Sequence, residues 1–236
     1  MGDPVKLFIS ETFTSIQGEG LLTGVPSVFL RTSGCNLRCR WCDTPYTSWR
    51  ATGTHQTVEE LVSIVEASPA RHVVLTGGEP MLQKGIEPLC ATLSGLGYHI
   101  TIETAGTLFR PVAVDLLSIS PKLADSTPDE STPDAAAGLI ARHERDRLSL
   151  PVLRQLIAHA DHQLKFVASS EADIEEVAAV VEALGVAADR VLLMPEGRTV
   201  EEIDAHLPLL IPACTARGWR LCDRLHLRLF GNTPGT

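Results

Sequence analysis

Three cysteines, Cys35, Cys39 and Cys42, fall within eight residues in the run Gly34-Cys-Asn-Leu-Arg-Cys-Arg-Trp-Cys-Asp-Thr44. Thiolates at such short spacing converge on one metal centre. Structural zinc takes four protein ligands. Only three stand here, and His55, the nearest fourth, is at no regular zinc spacing. An iron–sulfur cubane is also held by thiolates, usually four. Three would leave one iron open, as a catalytic metal keeps a position for its substrate. Three unrelated redox cysteines are the bland alternative. Cys90, Cys214 and Cys222 lie in apolar stretches and read as buried free thiols.

Other residues suit a small polar ligand. Gly77 and Gly78, in Leu75-Thr-Gly-Gly-Glu-Pro80, remove side chains so that backbone can approach a ligand, and Glu79 reads as a structural acid holding that turn. The Arg31 guanidinium is either a fork for a carboxylate or a strand-end salt bridge. Glu19 is an acceptor for amino groups or a turn cap. The Ser120 hydroxyl and Lys122 ammonium suit a carboxylate or ribose, although alone Lys122 reads as a surface residue. Trp41 either packs on the metal centre or is a core Trp. His143, His159 and His226 have no companion at metal spacing and read as satisfied surface or core histidines.

The spacing CxxxCxxC followed by GGEP resembles radical S-adenosylmethionine enzymes. Within them the sequence is similar to the 7-carboxy-7-deazaguanine synthase family over nearly its whole length. The likeness is carried by Glu11-Thr-Phe-Thr-Ser-Ile-Gln-Gly-Glu-Gly20, Pro26–Arg31, Gly34–Thr44, Leu75–Pro80, Ile102–Thr107, Ser118–Lys122, Gln163–Val167 and Arg224-Leu-His226. The resemblance implies a [4Fe-4S] cluster on Cys35, Cys39 and Cys42, with S-adenosylmethionine chelating the open iron. It implies cofactor contacts from Trp41, Cys42, Asp43, Gly78, Glu103, Ser120, Pro121, Lys122 and Lys165. It also implies a 6-carboxy-5,6,7,8-tetrahydropterin substrate held by Ile16, Gln17, Gly18, Arg31, Thr76 and Thr236, with Mg²⁺ on Thr44. The Gln17 amide suits a pterin edge because it both donates and accepts. Ala105 departs from the Asn common in the family. The tail Leu229–Thr236, a frayed end when taken alone, is implied near the substrate. An electron donor such as flavodoxin or ferredoxin and a homodimer are implied as well.

These residues need a scaffold. Apolar, β-prone runs at Ser27–Arg31, His72–Thr76, Tyr98–Glu103, Leu116–Ser120, Gln163–Val167, Val191–Met194 and Trp219–Cys222 predict strands. Helical patterns separate several of them. Thr57-Val-Glu-Glu60 is a capping box, followed by a stripe of Val58, Leu61, Val62 and Val65. Ile174, Val177, Ala178 and Val181 form a second stripe, ending at Gly185. Thr199-Val-Glu-Glu202 starts a third helix, which Pro208 should kink or stop. Alternating strands and helices predict an α/β fold with a parallel sheet whose ligands bind at the carboxyl ends of the strands, where most of these motifs fall. The length favours a partial (β/α) TIM-like barrel, which the resemblance also implies, as one core domain over residues 1–236 with the cluster loop at 35–42. The stretch Ala124–Asp134 has no apolar run and reads as a solvated, mobile connection.

Of 236 residues, 44% are hydrophobic and 21% charged, which excludes intrinsic disorder. The balance of 20 Lys and Arg against 29 Asp and Glu, a net charge of −9, argues against a nucleic-acid binder, including a tRNA-binding modification enzyme. No apolar run reaches the ~18 residues of a spanning helix, and Met1–Phe8 is too polar for a leader, so a cytoplasmic setting with no membrane partner is expected. Two rival activities stand beside the synthase. A glycyl-radical activase would need a protein partner, and a zinc or redox-sensing protein would not need GGEP.

Overall fold

The computed structural model describes residues 4–132 and 134–236. Met1–Asp3, part of the stretch read as carrying no leader, and Pro133, within Ala124–Asp134, lie outside the described residues. The chain builds one nine-stranded sheet in the order β3-β1-β2-β4-β5-β6-β7-β8-β9. The strands are β1 (Lys6–Ile16), β2 (Pro26–Thr32), β3 (Thr54–Thr57), β4 (His72–Gly77), β5 (His99–Thr104), β6 (Leu116–Ile119), β7 (His162–Ala168), β8 (Val191–Pro195) and β9 (Arg220–Leu221). From β2 through β4 to β9 every pairing is parallel, while β1 pairs antiparallel with both β2 and β3. The helices are α1 (Val58–Glu66), α2 (Ile86–Gly95), α3 (Ala137–Asp146), α4 (Leu150–His159), α5 (Glu171–Leu184), α6 (Val200–Arg217) and α7 (Leu225–Phe230). This is a partial β/α barrel. All seven expected strands form, each within about two residues of its expected bounds.

Successive strand residues point to opposite faces, and the two faces divide the labour. Leu30, Leu75, Ile102, Ile119, Phe166 and Leu193 face the helices and join the main apolar core. Their neighbours Ser27, His72, Thr101, Glu103, Ser118, Gln163 and Lys165 point the other way. They form a polar inner face tied by Ser27–His72 (2.7 Å), His72–Thr101 (2.8 Å) and Gln163–Ser118 (2.7 Å) hydrogen bonds. The central parallel strands are thus buried on both faces, one apolar and the other a mix of polar residues with Phe29, Val74, Leu116, Val167, Leu192 and Met194. Residues 17–25, between β1 and β2, cross this inner face. The Leu21 amide donates to Gln163 (2.7 Å) and the Leu225 amide to the Gly18 carbonyl (2.9 Å), so this loop and the C-terminal segment cover the open side of the barrel.

Capping boxes start α1, α5 and α6, at Thr57, Ser170 and Thr199. Gly185 ends α5 in the left-handed conformation, φ 67°. One expectation is corrected: α6 continues past Pro208 and also past Pro212. Each Pro frees the carbonyl four residues before it. Asp204, Pro208 and Pro212 are all exposed, so water can serve the freed carbonyls. A second correction concerns Ala124–Asp134. Ser126 and Pro128 are buried, and the Ser126 carbonyl accepts from the Arg40 amide (3.0 Å). The first half of the stretch is therefore docked on the cysteine loop.

Candidate active site

A cavity of about 490 Å³ opens on the inner face, within the usual ~300–1,000 Å³ of small-molecule sites. Cys35, Cys39 and Cys42 line it from the loop after β2. Gly77 and Gly78 line it from the end of β4, Glu103 from β5, Ser120 and Lys122 from the end of β6, and Lys165 from β7. Ile16, Gln17 and Gly18 enter at the end of β1, Arg31 stands on β2 and Thr76 on β4. Trp41, Asp43, Thr44 and Thr236 complete the expected set. Pro121 is the exception. It is buried between Ser120 and Lys122 and is not among the residues lining the cavity.

The glycine turn is built tightly. Gly77 has φ 120°, and a Cβ there would collide with the Thr32 carbonyl, while one at Gly78 would collide with the Gly34 and Thr47 carbonyls. Glu79, fully buried, accepts from the Met81 amide (3.0 Å), the Thr104 hydroxyl (2.8 Å) and the Ala105 amide (2.9 Å). It is the structural acid expected. Burial pushes its carboxyl above the ordinary range despite those three donors.

Burial pushes the Cys35 thiol up to about 12, with the Glu79 carboxylate adding to it, and burial pushes Cys39 up too. A redox-sensing cysteine needs a stabilised thiolate, which Cys35 and Cys39 lack. Thiols of this kind become thiolates when a metal takes them. Among the described residues no three ligand-type side chains converge on a single-ion position. A cubane spreads its thiolates over separate irons, so three cysteines ringing one cavity fit it better than they fit one zinc. Trp41 packs against the small apolar cluster of Val167, Leu192, Met194 and Cys222. Its indole N–H donates to Asp125 (3.1 Å), and the Lys122 ammonium sits 5.7 Å from its ring centre.

Toward the substrate loop, Gln17 is 4% exposed and its amide donates to Glu103 (3.1 Å). The other Glu103 oxygen accepts from the Thr76 hydroxyl (2.7 Å). Glu103, assigned by resemblance to the cofactor, therefore bonds two residues assigned to the substrate. Arg31 forms the expected strand-end salt bridge. Its Nε donates to Glu11 (2.6 Å) and its guanidinium lies over Phe13, while its two Nη groups have no hydrogen-bond partner among the described residues. Thr44 stands beside Cys42, with its hydroxyl 4.0 Å from the sulfur.

The sequence reading gave no role to Arg224, His226, Glu11, Tyr46 or Arg198. Arg224 joins a buried chain of charge, Lys165–Glu19–Arg224–Asp43. Burial pushes the Glu19 carboxyl up, but Lys165 and Arg224 outweigh it and hold it well below the ordinary range. Asp43 is lowered likewise, Arg224 outweighing burial. The His226 ring fills the space a side chain at Gly18 would need. The stretches Glu11–Gly20 and Arg224-Leu-His226 took in three of these through the resemblance, without giving them a role in the site. His143, by contrast, is a satisfied core histidine, bonded to the Arg38 amide (2.9 Å) and the Ser126 hydroxyl (3.0 Å).

Residues 29–126 match the Radical SAM superfamily profile. Over 232 residues the chain is 52% identical to the 7-carboxy-7-deazaguanine synthase of Rhodopirellula baltica, covering 98% of this chain and 89% of that one. The chain belongs to the 7-carboxy-7-deazaguanine synthase family. The Halobacterium salinarum 7-carboxy-7-deazaguanine synthase is 43% identical, covering 100% of this chain and 95% of that one. The crystal structure of QueE from Escherichia coli superposes with a TM-score of 0.67 at 27% identity, covering 94% of this chain and 95% of that one. Membership brings the cofactors of a radical S-adenosylmethionine lyase, a [4Fe-4S] cluster and S-adenosylmethionine. No helix among the described residues is long and apolar enough to cross a membrane.

Proposed function

We propose that this chain converts 6-carboxy-5,6,7,8-tetrahydropterin to 7-carboxy-7-deazaguanine and ammonia, as one core domain over residues 1–236. The observation that carries the reading is the meeting, in one cavity, of the cysteine loop, the glycine turn, the buried Gln17 amide and the free Nη groups of Arg31. Cys35, Cys39 and Cys42 hold the cluster. The Gly78 turn, Trp41, Cys42, Asp43, Glu103, Ser120, Lys122 and Lys165 surround S-adenosylmethionine. When bound, these groups together supply a carbon radical that takes a hydrogen atom from the substrate.

The chain's own residues bind and orient. Arg31 takes the pterin carboxylate, its planar fork matching two oxygens. Gln17 and Gly18 meet the pterin edge with Ile16, Thr76 and the tail at Thr236, and the tail with residues 17–25 shields the cavity from water. Thr44 offers one neutral oxygen to Mg²⁺, which keeps several waters and takes few protein ligands. A flavodoxin- or ferredoxin-type donor, a homodimer and a cytoplasmic setting complete the reading on family likeness.

The test is anaerobic reconstitution with iron and sulfide, then reduction in the presence of S-adenosylmethionine, Mg²⁺ and the carboxylated pterin. Mass spectrometry should find 7-carboxy-7-deazaguanine in wild-type reactions. Cys35→Ala should lose the iron and the product together. A wild-type protein with a full cluster that cleaves S-adenosylmethionine but never forms product would overturn the substrate assignment.

A further inference from the structure

We propose that Arg224 is a positioning residue that sets the spacing between substrate and cofactor, an inference that rests on the function proposed above. It is 7% exposed and stands in the segment between β9 and α7. All three guanidinium nitrogens are engaged, each by a different loop. Nε donates to Glu19 (3.0 Å) in the substrate loop. Nη2 pairs with Asp43, between the cluster ligand Cys42 and Thr44. Nη1 donates to the Gly197 carbonyl in the loop between β8 and α6. The next residue of that loop, Arg198, donates to the Cys42 carbonyl (2.7 Å) and so closes a ring of contacts onto the cluster loop.

None of the guanidinium's three partners belongs to a strand or helix, and Arg224 takes no part in either apolar core. Its contacts fix how three loop segments stand relative to one another, while the sheet is held by its own strand pairing. The substrate loop carries Gln17 and Gly18, and the cluster loop carries the cysteines. Among the described residues, Arg224 is the one side chain paired ionically with both, because Glu19 and Asp43 share it. Hydrogen-atom transfer demands close approach of the reacting atoms, and a misplacement of about 1 Å costs roughly 100-fold. A planar fork with directions fixed by its geometry suits this task, and a lysine has only one nitrogen for three acceptors.

Two readouts on the full-length, cluster-loaded enzyme test the inference, using Arg224→Met and Arg224→Lys. The first is amide hydrogen exchange. Residues 17–20, 42–44 and 196–198 should lose protection together in the Met variant, with β4 and β7 unchanged. The second is the ratio of 5′-deoxyadenosine released to 7-carboxy-7-deazaguanine formed. It should rise about 10-fold or more with Met and less with Lys, since a mispositioned substrate leaves the cofactor cleaved without turnover. Loss of protection confined to residues 223–228, or a slower enzyme with the wild-type ratio, would overturn the positioning role. If Arg224→Met yields no folded protein, Arg224→Lys carries both readouts. A wild type that makes no product would sink the functional reading, and the exchange data would still decide whether Arg224 ties the three loops together.

Discussion

Replacing Glu79 by Gln changes one atom in the glycine-turn motif and should show why an acid stands there. One oxygen of Glu79 accepts two donors, the Met81 amide and the Thr104 hydroxyl, and the other accepts the Ala105 amide. A Gln can keep its carbonyl on the first pair only by turning its NH₂ toward the Ala105 N–H, a donor facing a donor in a site with no solvent. Leaving a buried donor unpaired costs about 1–3 kcal/mol. For a chain of this size each kcal/mol moves Tm by roughly 2–4 °C. Glu79→Gln should therefore melt about 2–12 °C below wild type. The Ala105–Gly106 turn is the part released, so S-adenosylmethionine affinity should fall in the same variant. Glu79→Ala strands all three donors and adds a cavity, a loss comparable to much of a typical 5–15 kcal/mol stability, and should yield little soluble protein. Scanning calorimetry with equilibrium binding of S-adenosylmethionine checks both. A Gln variant melting within a degree of wild type with unchanged affinity would refute the donor count.

Asp125 gives the pH dependence. Burial, with Asp173 and Glu196 nearby, raises it from 3.8 to about 6, so the folded state resists its ionisation and stability falls as pH rises from about 4 through about 6. Asp125→Asn removes that slope. The variant should match wild type near pH 4 and exceed it at pH 7 by up to ~3 kcal/mol, at 1.36 kcal/mol per pH unit of displacement; melting curves at the two pH values decide it. Gly77→Ala should abolish S-adenosylmethionine binding and lower Tm, since the new methyl meets the Thr32 carbonyl at a φ that L-residues rarely adopt; a variant that binds normally contradicts this. Arg31→Met should raise the substrate KM at least ~10-fold while leaving S-adenosylmethionine affinity intact, a charge-assisted hydrogen bond being worth about 1.5–3 kcal/mol. An unchanged KM would place the carboxylate elsewhere.

The parallel strands were legible because each is a compact β-prone run that ends at a motif. What the runs concealed is the alternation inside them. His72, Thr101, Glu103, Ser118, Gln163 and Lys165 sit at the alternate positions expected of a face that lines a polar cavity, within strands that are buried on both sides as their apolar runs imply. β1 went unread for the opposite reason. Lys6–Ile16 carries Ser, Glu and Thr on a half-buried ribbon, and such a ribbon gains its strand character from pairing with β2 and β3. The path of α6 through two prolines depends on which face meets water, which local rules about proline do not contain. The expected site residues, Pro121 apart, share one cavity because their motifs sit at strand ends or loops. The roles of Arg224, Glu11 and Tyr46 stayed invisible because they lie in distant partners: Glu11 meets Arg31 across 20 residues and Tyr46 across 35, and Arg224 meets Glu19 across 205.

Charge placement joins these threads. The chain is acidic, at −9, yet its cavity is lined by Arg31, Lys122, Lys165, Arg198 and Arg224 against Glu19, Asp43 and Glu103. Two of those pairings, Lys165 with Glu19 and Arg224 with Asp43, are internal and cancel. Of the remaining cations, Lys122 is bonded to Ser120, Arg198 to the Cys42 carbonyl and Arg31 to Glu11 through Nε alone, so the Arg31 Nη groups are left without a partner among the described residues. Enclosed charge without a partner is costly, so this lining favours ligands that bring negative charge: thiolates on the cluster, the carboxylate of S-adenosylmethionine and the carboxylate of the pterin. A carboxylated small molecule that enters this cavity meets the Arg31 Nη groups, and its charge is matched there.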